Sequence, residues 1–333
     1  MTAAHPIDAS ARRDGRSRAI AALAFVVAAL LPLWVVPTLK LGIASNVASY
    51  AVAVLGVNLI VGYVGQISLG HGAFVGVGAY TTVILSADHG WPLLATVPAA
   101  AVMGFLLGTA IGIPALRIKG LYLALLTIGL AAAFGPIIKR MESITNGTNG
   151  KGSPARIESP SWFGSTRGAT ARFNYLVVAI VASIVFLLVS NLLRGRIGRS
   201  FAAIKENELS TATFGVPVPL YKVGAFGVSA AIAAVGGAMF MLQQPFATET
   251  NFAPQLSIQL YTAAFIGGVS TISGSIFGGA VIVAIPYLFQ RLGLSLDPGL
   301  VYGAALVTLT LFAPDGLAGL FRKYSRSGQS SAS

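Results

Sequence analysis

The chain has 333 residues, of which 55% are hydrophobic and 10% charged, with a mean hydropathy of +0.78. A soluble domain of this size carries about 25% charged residues, so an ordinary water-soluble fold is excluded. The net charge of +12 sits in the connections between apolar runs, which argues for membrane topology and against nucleic acid, and the absence of cysteine excludes disulfides, thiolate metal sites and cysteine nucleophiles.

Apolar runs of about 17–25 residues, long enough to cross a bilayer, recur along the whole length, which predicts an all-α polytopic membrane protein. A basic segment, 1–19, holds Arg12, Arg13, Arg16 and Arg18. The run Ile20 to Val36 follows it as in a signal peptide. However, Pro37-Thr38-Leu39-Lys40 offers no small-residue cleavage site, so the run reads as a retained first span. About ten transmembrane or re-entrant helices are predicted, at 20–37, 43–64, 68–86, 92–116, 121–138, 175–193, 223–242, 258–272, 275–292 and 299–313. The eighth is short for a full crossing. Together they make a permease-like domain, 20–316, followed by a cytoplasmic tail, 317–333, Ser/Gly/Gln-rich after Tyr324 and expected to be disordered.

Two polar connections interrupt the spans. The loop 139–174 is rich in Gly, Ser, Thr, Asn and Pro and is expected on the periplasmic side, with 194–222 in the cytoplasm. With the N-terminus inside, fourteen of the 22 Lys and Arg residues fall on the inner side, and six of the other eight share the long loop. Both termini are then cytoplasmic, in the inner membrane of a bacterium.

All ten acidic residues, Asp8, Asp14, Asp88, Glu142, Glu158, Glu206, Glu208, Glu249, Asp297 and Asp315, fall outside the predicted spans. Proton-coupled carriers use intramembrane carboxylates as relays, so this pattern disfavours them. The three histidines, His5, His71 and His89, have no metal-ligand spacing. His71 is expected as a neutral, packed or hydrogen-bonded imidazole in a tight turn near the cytoplasmic side. No Gly-x4-Gly-Lys-Ser/Thr motif is present, so the chain is expected to have no catalytic residues, no metal, no bound cofactor and no ATPase site of its own.

Glycine patterning stands out inside the apolar stretches. One run extends from Gly62 to Tyr80 and a second from Gly267 to Gly279. Gly65, Phe74 and Gly76 match Gly268, Phe277 and Gly279 at a constant offset. Two explanations stay open: close helix packing through small residues, and a pair of broken helices in duplicated halves flanking a translocation path. On the second, the path is lined by Gly65, Gln66, Ser68, Gly70, Gly72, Phe74, Gly267, Gly268, Ser270, Thr271 and Phe277. Their hydroxyl, amide and freed backbone groups would replace water around a zwitterion without fixing a charge.

In the inner connection, Phe201, Ile204, Leu209, Ala212 and Thr213 are predicted to share one face of a short helix ended by Gly215 and Pro217. Such a helix suits docking to a partner's groove or lying on lipid head groups.

Gly65-Gln66-Ile67-Ser68-Leu69-Gly70-His71-Gly72-Ala73-Phe74 resembles the hallmark of the branched-chain amino acid ABC permeases. So do Lys119 to Thr127, Thr145 to Gly150, and Ala203 to Gly215, the last of these resembling the family's coupling loop. The resemblance covers about residues 42–316. It implies an importer built from this chain as the longer permease, a second permease, two cytoplasmic ATPases that hydrolyse the ATP, and a periplasmic binding protein. Ala203, Lys205, Glu206, Asn207, Glu208, Ala212 and Gly215 would then face the ATPase. One departure is that Glu208 is followed by Leu-Ser-Thr where the general importer loop has Glu-Ala-Ala. Urea and short-amide permeases share the family, and a stand-alone secondary carrier or a passive channel are the alternatives outside it.

Overall fold

The computed structural model describes residues 31–35, 37–118, 120–164, 166–293, 299–301 and 303–304. The expected first and last spans, both terminal segments and Lys119 lie largely or wholly outside these residues. In chain order the described α-helices of six or more residues are α1 (Leu41–Asn58), α2 (His71–His89), α3 (Leu93–Ala115), α4 (Leu121–Arg140), α5 (Arg167–Arg194), α6 (Arg196–Glu206), α7 (Glu208–Thr213), α8 (Val218–Gln243), α9 (Pro254–Gly267) and α10 (Ile272–Leu292). A two-stranded antiparallel ribbon pairs β1 (Lys151–Gly152) with β2 (Phe246–Ala247), Lys151 opposite Ala247.

Among the described residues, six helices are long and apolar enough to cross a membrane: α1 with the π-turn that extends it to Tyr63, α3, α4, α5, α8 and α10. Helices α2 and α9 occupy the positions predicted for the third and eighth spans. At 14 residues α9 reaches about 21 Å, short of the roughly 30 Å of a hydrocarbon core. The arrangement is multi-pass and helical, and the described residues do not reach the expected count of ten.

Helices α1 and α8 form the centre of the bundle, covered by α2, α3 and α10. In lipid there is no hydrophobic drive between helices, so close van der Waals contact through small residues must hold them. Helix α3 shows how. A Cβ added at Gly104 would lie 2.6 Å from the Ala234 Cβ, and one at Gly112 would lie 3.0 Å from the Phe226 Cβ. A Cβ at Gly78 of α2 would overlap the Ala234 carbonyl. Packing therefore accounts for much of the glycine pattern. The outward faces of α3 and α4 expose Val102, Phe105, Leu106, Leu121, Tyr122 and Leu125, as a lipid-facing surface requires.

Several boundaries move relative to the sequence prediction. Helix α4 runs on to Arg140 and α5 starts at Arg167, so the loop is shorter than 139–174 at both ends. The Thr166 side chain sets that start by accepting a hydrogen bond from the Ala169 N–H. Asp88 lies in the last turn of α2, not beyond it, and its carboxylate accepts from Lys151 Nζ at 2.6 Å. Helix α8 starts at Val218, which places Lys222 within it, buried and paired with Glu208. Both corrections share a cause: an ionic partner allows a charged residue to extend a helix past the apolar run.

Candidate functional site

The two glycine-rich segments are breaks between helices, and the structure brings them together at one end of the bundle. The first break follows α1. Its last turn is widened into the π-turn Leu59–Tyr63, and Gly65 then takes φ 77, a left-handed value that only glycine adopts freely. The chain re-enters helix at His71. It is held there by the Leu69 N–H, which donates to Thr127 Oγ1 at 2.9 Å, and by the Gly72 N–H, which donates to Ser257 Oγ at 2.9 Å.

His71, the first residue of α2, is fully buried against Ser229 of α8. Ser229 Oγ donates its one proton to the Gly56 carbonyl at 2.7 Å and lies 2.6 Å from His71 Nε2. The Nε2 must therefore carry the proton and donate to Ser229, leaving Nδ1 to accept from Ser68 Oγ at 3.3 Å. A neutral imidazole satisfies every partner, as the sequence led us to expect.

The second break follows α9. Gly268 takes φ 119 and Ser270 φ 65, and the Thr271 side chain caps α10 by accepting from the Gly274 N–H. Asn58, fully buried at the end of α1, fixes this turn. Its Oδ1 accepts the Ser270 N–H at 2.8 Å, and its Nδ2 faces the Thr271 carbonyl at 2.8 Å, Ser275 Oγ at 3.2 Å and the Gly268 carbonyl at 3.3 Å. Asn58 was missed in the sequence. The signal was present, because an asparagine inside an apolar span is costly unless it has work to do.

The breaks meet at Gly62, whose carbonyl accepts from Ser270 Oγ at 2.7 Å. A third element joins them: Lys205 of α6 donates from Nζ to the same carbonyl at 2.6 Å and to Ser270 Oγ at 3.2 Å. Of the predicted path residues, Gly267, Gly268, Ser270 and Thr271 surround this junction, and Gly65 packs on the Lys205 stem. Gln66 is half-buried, with its Oε1 enclosed and unbonded. Ser68 and Phe74 are buried around His71, and Gly70 abuts the Thr127 carbonyl. Phe277 is 40% exposed where its sequence match Phe74 is 2% exposed, so the two do not share an environment.

The segment predicted to dock a partner is not one helix. Asn207 is extended and breaks it, and its side chain caps α7 by accepting from the Ser210 N–H at 3.0 Å. An asparagine that offers the backbone a local hydrogen bond competes with the helix ladder, which is why the single-face pattern fails here. Phe201 and Ile204 face the core, with Phe201 against Tyr221. Leu209, at 80% exposure, and Ala212 and Thr213 face outward. Glu206 and Gly215 are exposed, Ala203 is half-buried, and Gly215 ends the segment at φ 81 as expected.

At the opposite end, Lys139 pairs with Glu249 at 3.4 Å, and a cavity of about 910 Å³ opens between Arg156, Glu158, Asn174, Gln243, Gln244 and Phe246.

A family model described as "branched-chain amino acid transport system / permease component" matches residues 39–312, a range that includes both breaks and α6. The chain is 29% identical over 306 residues to the high-affinity branched-chain amino acid transport system permease protein LivM of Escherichia coli, covering 84% of this chain and 70% of that one. It is 24% identical over 289 residues to the high-affinity branched-chain amino acid transport system permease protein LivH of Escherichia coli, and 25% identical over 284 residues to BraD of Pseudomonas aeruginosa, each covering 82% of this chain and 92% of the relative. No solved structure matches it.

Proposed function

We propose, because the chain belongs to the branched-chain amino acid transport permease family, that it carries leucine, isoleucine and valine across the bacterial inner membrane as one subunit of an ATP-driven importer. The observation that carries this is the family match across 39–312, which encloses both helix breaks. The higher identity to LivM than to LivH supports its being the longer permease of the pair. A second permease, two cytoplasmic ATPases and a periplasmic binding protein complete the assembly, and the chain itself binds no cofactor and hydrolyses no ATP.

The permease domain spans 20–316, with both termini cytoplasmic. The substrate passes beside the two breaks, where Gln66, Ser68, Ser270, Thr271 and freed glycine carbonyls offer dipoles and the Lys205 ammonium stands at their junction. The segment 194–222 faces the ATPase. Its outward side presents Leu209 and Phe214, at 80% and 87% exposure, next to Glu206. Apolar anchors rimmed by charge are what a docking surface needs.

The test is uptake of labelled leucine into vesicles that hold all the subunits, with ATP on the ATPase side. Leucine uptake that needs ATP and is competed by isoleucine and valine is expected. Competition by urea or short amides in their place would assign the substrate to the family's other branch. Uptake driven by an ion gradient without ATP would sink the importer reading.

A further inference from the structure

We propose that Lys205 is the positioning residue through which movement of the ATPase-facing segment reaches the junction of the two broken helices. The inference rests on the assignment of 194–222 as that segment. Lys205 Nζ lies 2.6 Å from the Gly62 carbonyl and 3.2 Å from Ser270 Oγ, so one cation touches the break after α1 and the break after α9 together.

The chemistry explains why a cation stands there. The last carbonyls of a helix lack partners within it and carry the negative end of its dipole. Gly62 is in the final turn of α1 and its π extension, and an ammonium answers its carbonyl with a charge-assisted hydrogen bond, roughly twice as strong as a neutral one. The fit extends to the stem. A Cβ at Gly65 would lie 2.9 Å from Lys205 Cγ, so the glycine leaves the passage the lysine occupies.

Both ends of the link are stiff. On one side, Phe201 and Ile204 anchor α6 in the core, so a push on the segment moves the base of Lys205 with it. On the other, the Ser270 N–H is held by Asn58 and its φ is 65, so a pull on Ser270 Oγ acts on the break itself. The neighbouring charges do not compete: Glu206 is exposed and Glu208 is paired with Lys222.

The experiment uses the assembled transporter in vesicles and compares Lys205→Met, Lys205→Arg and Arg199→Gln, the last removing another exposed cation from α6. Lys205→Met should lower leucine taken up per ATP hydrolysed by about tenfold, the scale of one lost charge-assisted bond. Lys205→Arg should restore most of it, and Arg199→Gln should have no effect. Full uptake per ATP in Lys205→Met overturns the proposal. So does a parallel loss of uptake and hydrolysis that arginine does not rescue, which would mean a docking role alone. An equal loss in Arg199→Gln also overturns it, since general attraction to lipid phosphate would then explain both. Should Lys205→Met fail to accumulate, Ser270→Ala leaves the cation in place and should show the same uncoupling at smaller size, and normal coupling there counts against the link. A wild-type assembly without ATP-driven leucine uptake would overturn the functional reading and this one with it, whereas wild-type uptake with an indifferent Lys205→Met overturns only this one.

Discussion

Asn58 reaches across the bundle to Ser270, accepting its backbone N–H at 2.8 Å while its own amide group serves the Gly268 and Thr271 carbonyls. One side chain of α1 thereby sets the geometry of the turn between α9 and α10. A single interhelical hydrogen bond in a membrane is worth only about 0.6 kcal/mol on average, but Asn58→Leu strands several buried backbone groups together. The expected cost is about 2–3 kcal/mol, read from detergent unfolding. A loss below about 0.5 kcal/mol would mean that other groups hold the turn.

Glycines of the two kinds should separate cleanly. Gly78→Ala places a methyl group on the Ala234 backbone and should prevent stable accumulation of the chain, because neither helix backbone can yield. Gly129 of α4 has nothing within 4 Å of an added Cβ, so Gly129→Ala should be neutral or stabilise by up to about 1 kcal/mol. Membrane levels of the two variants decide it, and equal behaviour would contradict the packing described for α2 and α8.

His71 should not move protons. Its neutral ring already serves Ser68 and Ser229, and among the described residues no carboxylate bonds it. His71→Gln should keep ATP-driven uptake with no new dependence between about pH 6 and 8. Uptake that fell only at one side of that window would restore a relay role.

Gly215 ends α7's segment at φ 81, a conformation a β-branched residue strongly resists. Gly215→Val should leave the chain in the membrane, since nothing lies within 4 Å of its added Cβ, yet misalign the exposed docking face. The expected result is ATP hydrolysis that no longer drives uptake. Normal coupling in Gly215→Val would place the docking contacts elsewhere.

Much of this protein was legible without coordinates. Apolar run length, sparse charge and the Lys/Arg pattern specify a multi-pass helical bundle, because each span must satisfy its own backbone in lipid and so announces itself locally. Gly65 and Gly268 marked the breaks for the same reason: left-handed backbone is a local demand that only certain residues meet. What the sequence could not determine was which polar groups answer one another. Asn58 and Ser270 are separated by 212 residues, and Lys205 and Gly62 by 143. No spacing rule connects them, since their pairing depends on how α1, α6 and α9 pack. The same holds for the docking segment, where local amphipathicity predicted one helix and Asn207 made two. Periodicity records which face an isolated helix would bury, but the decision to bury Phe201 and Ile204 while exposing Leu209 belongs to the neighbours that α8 supplies.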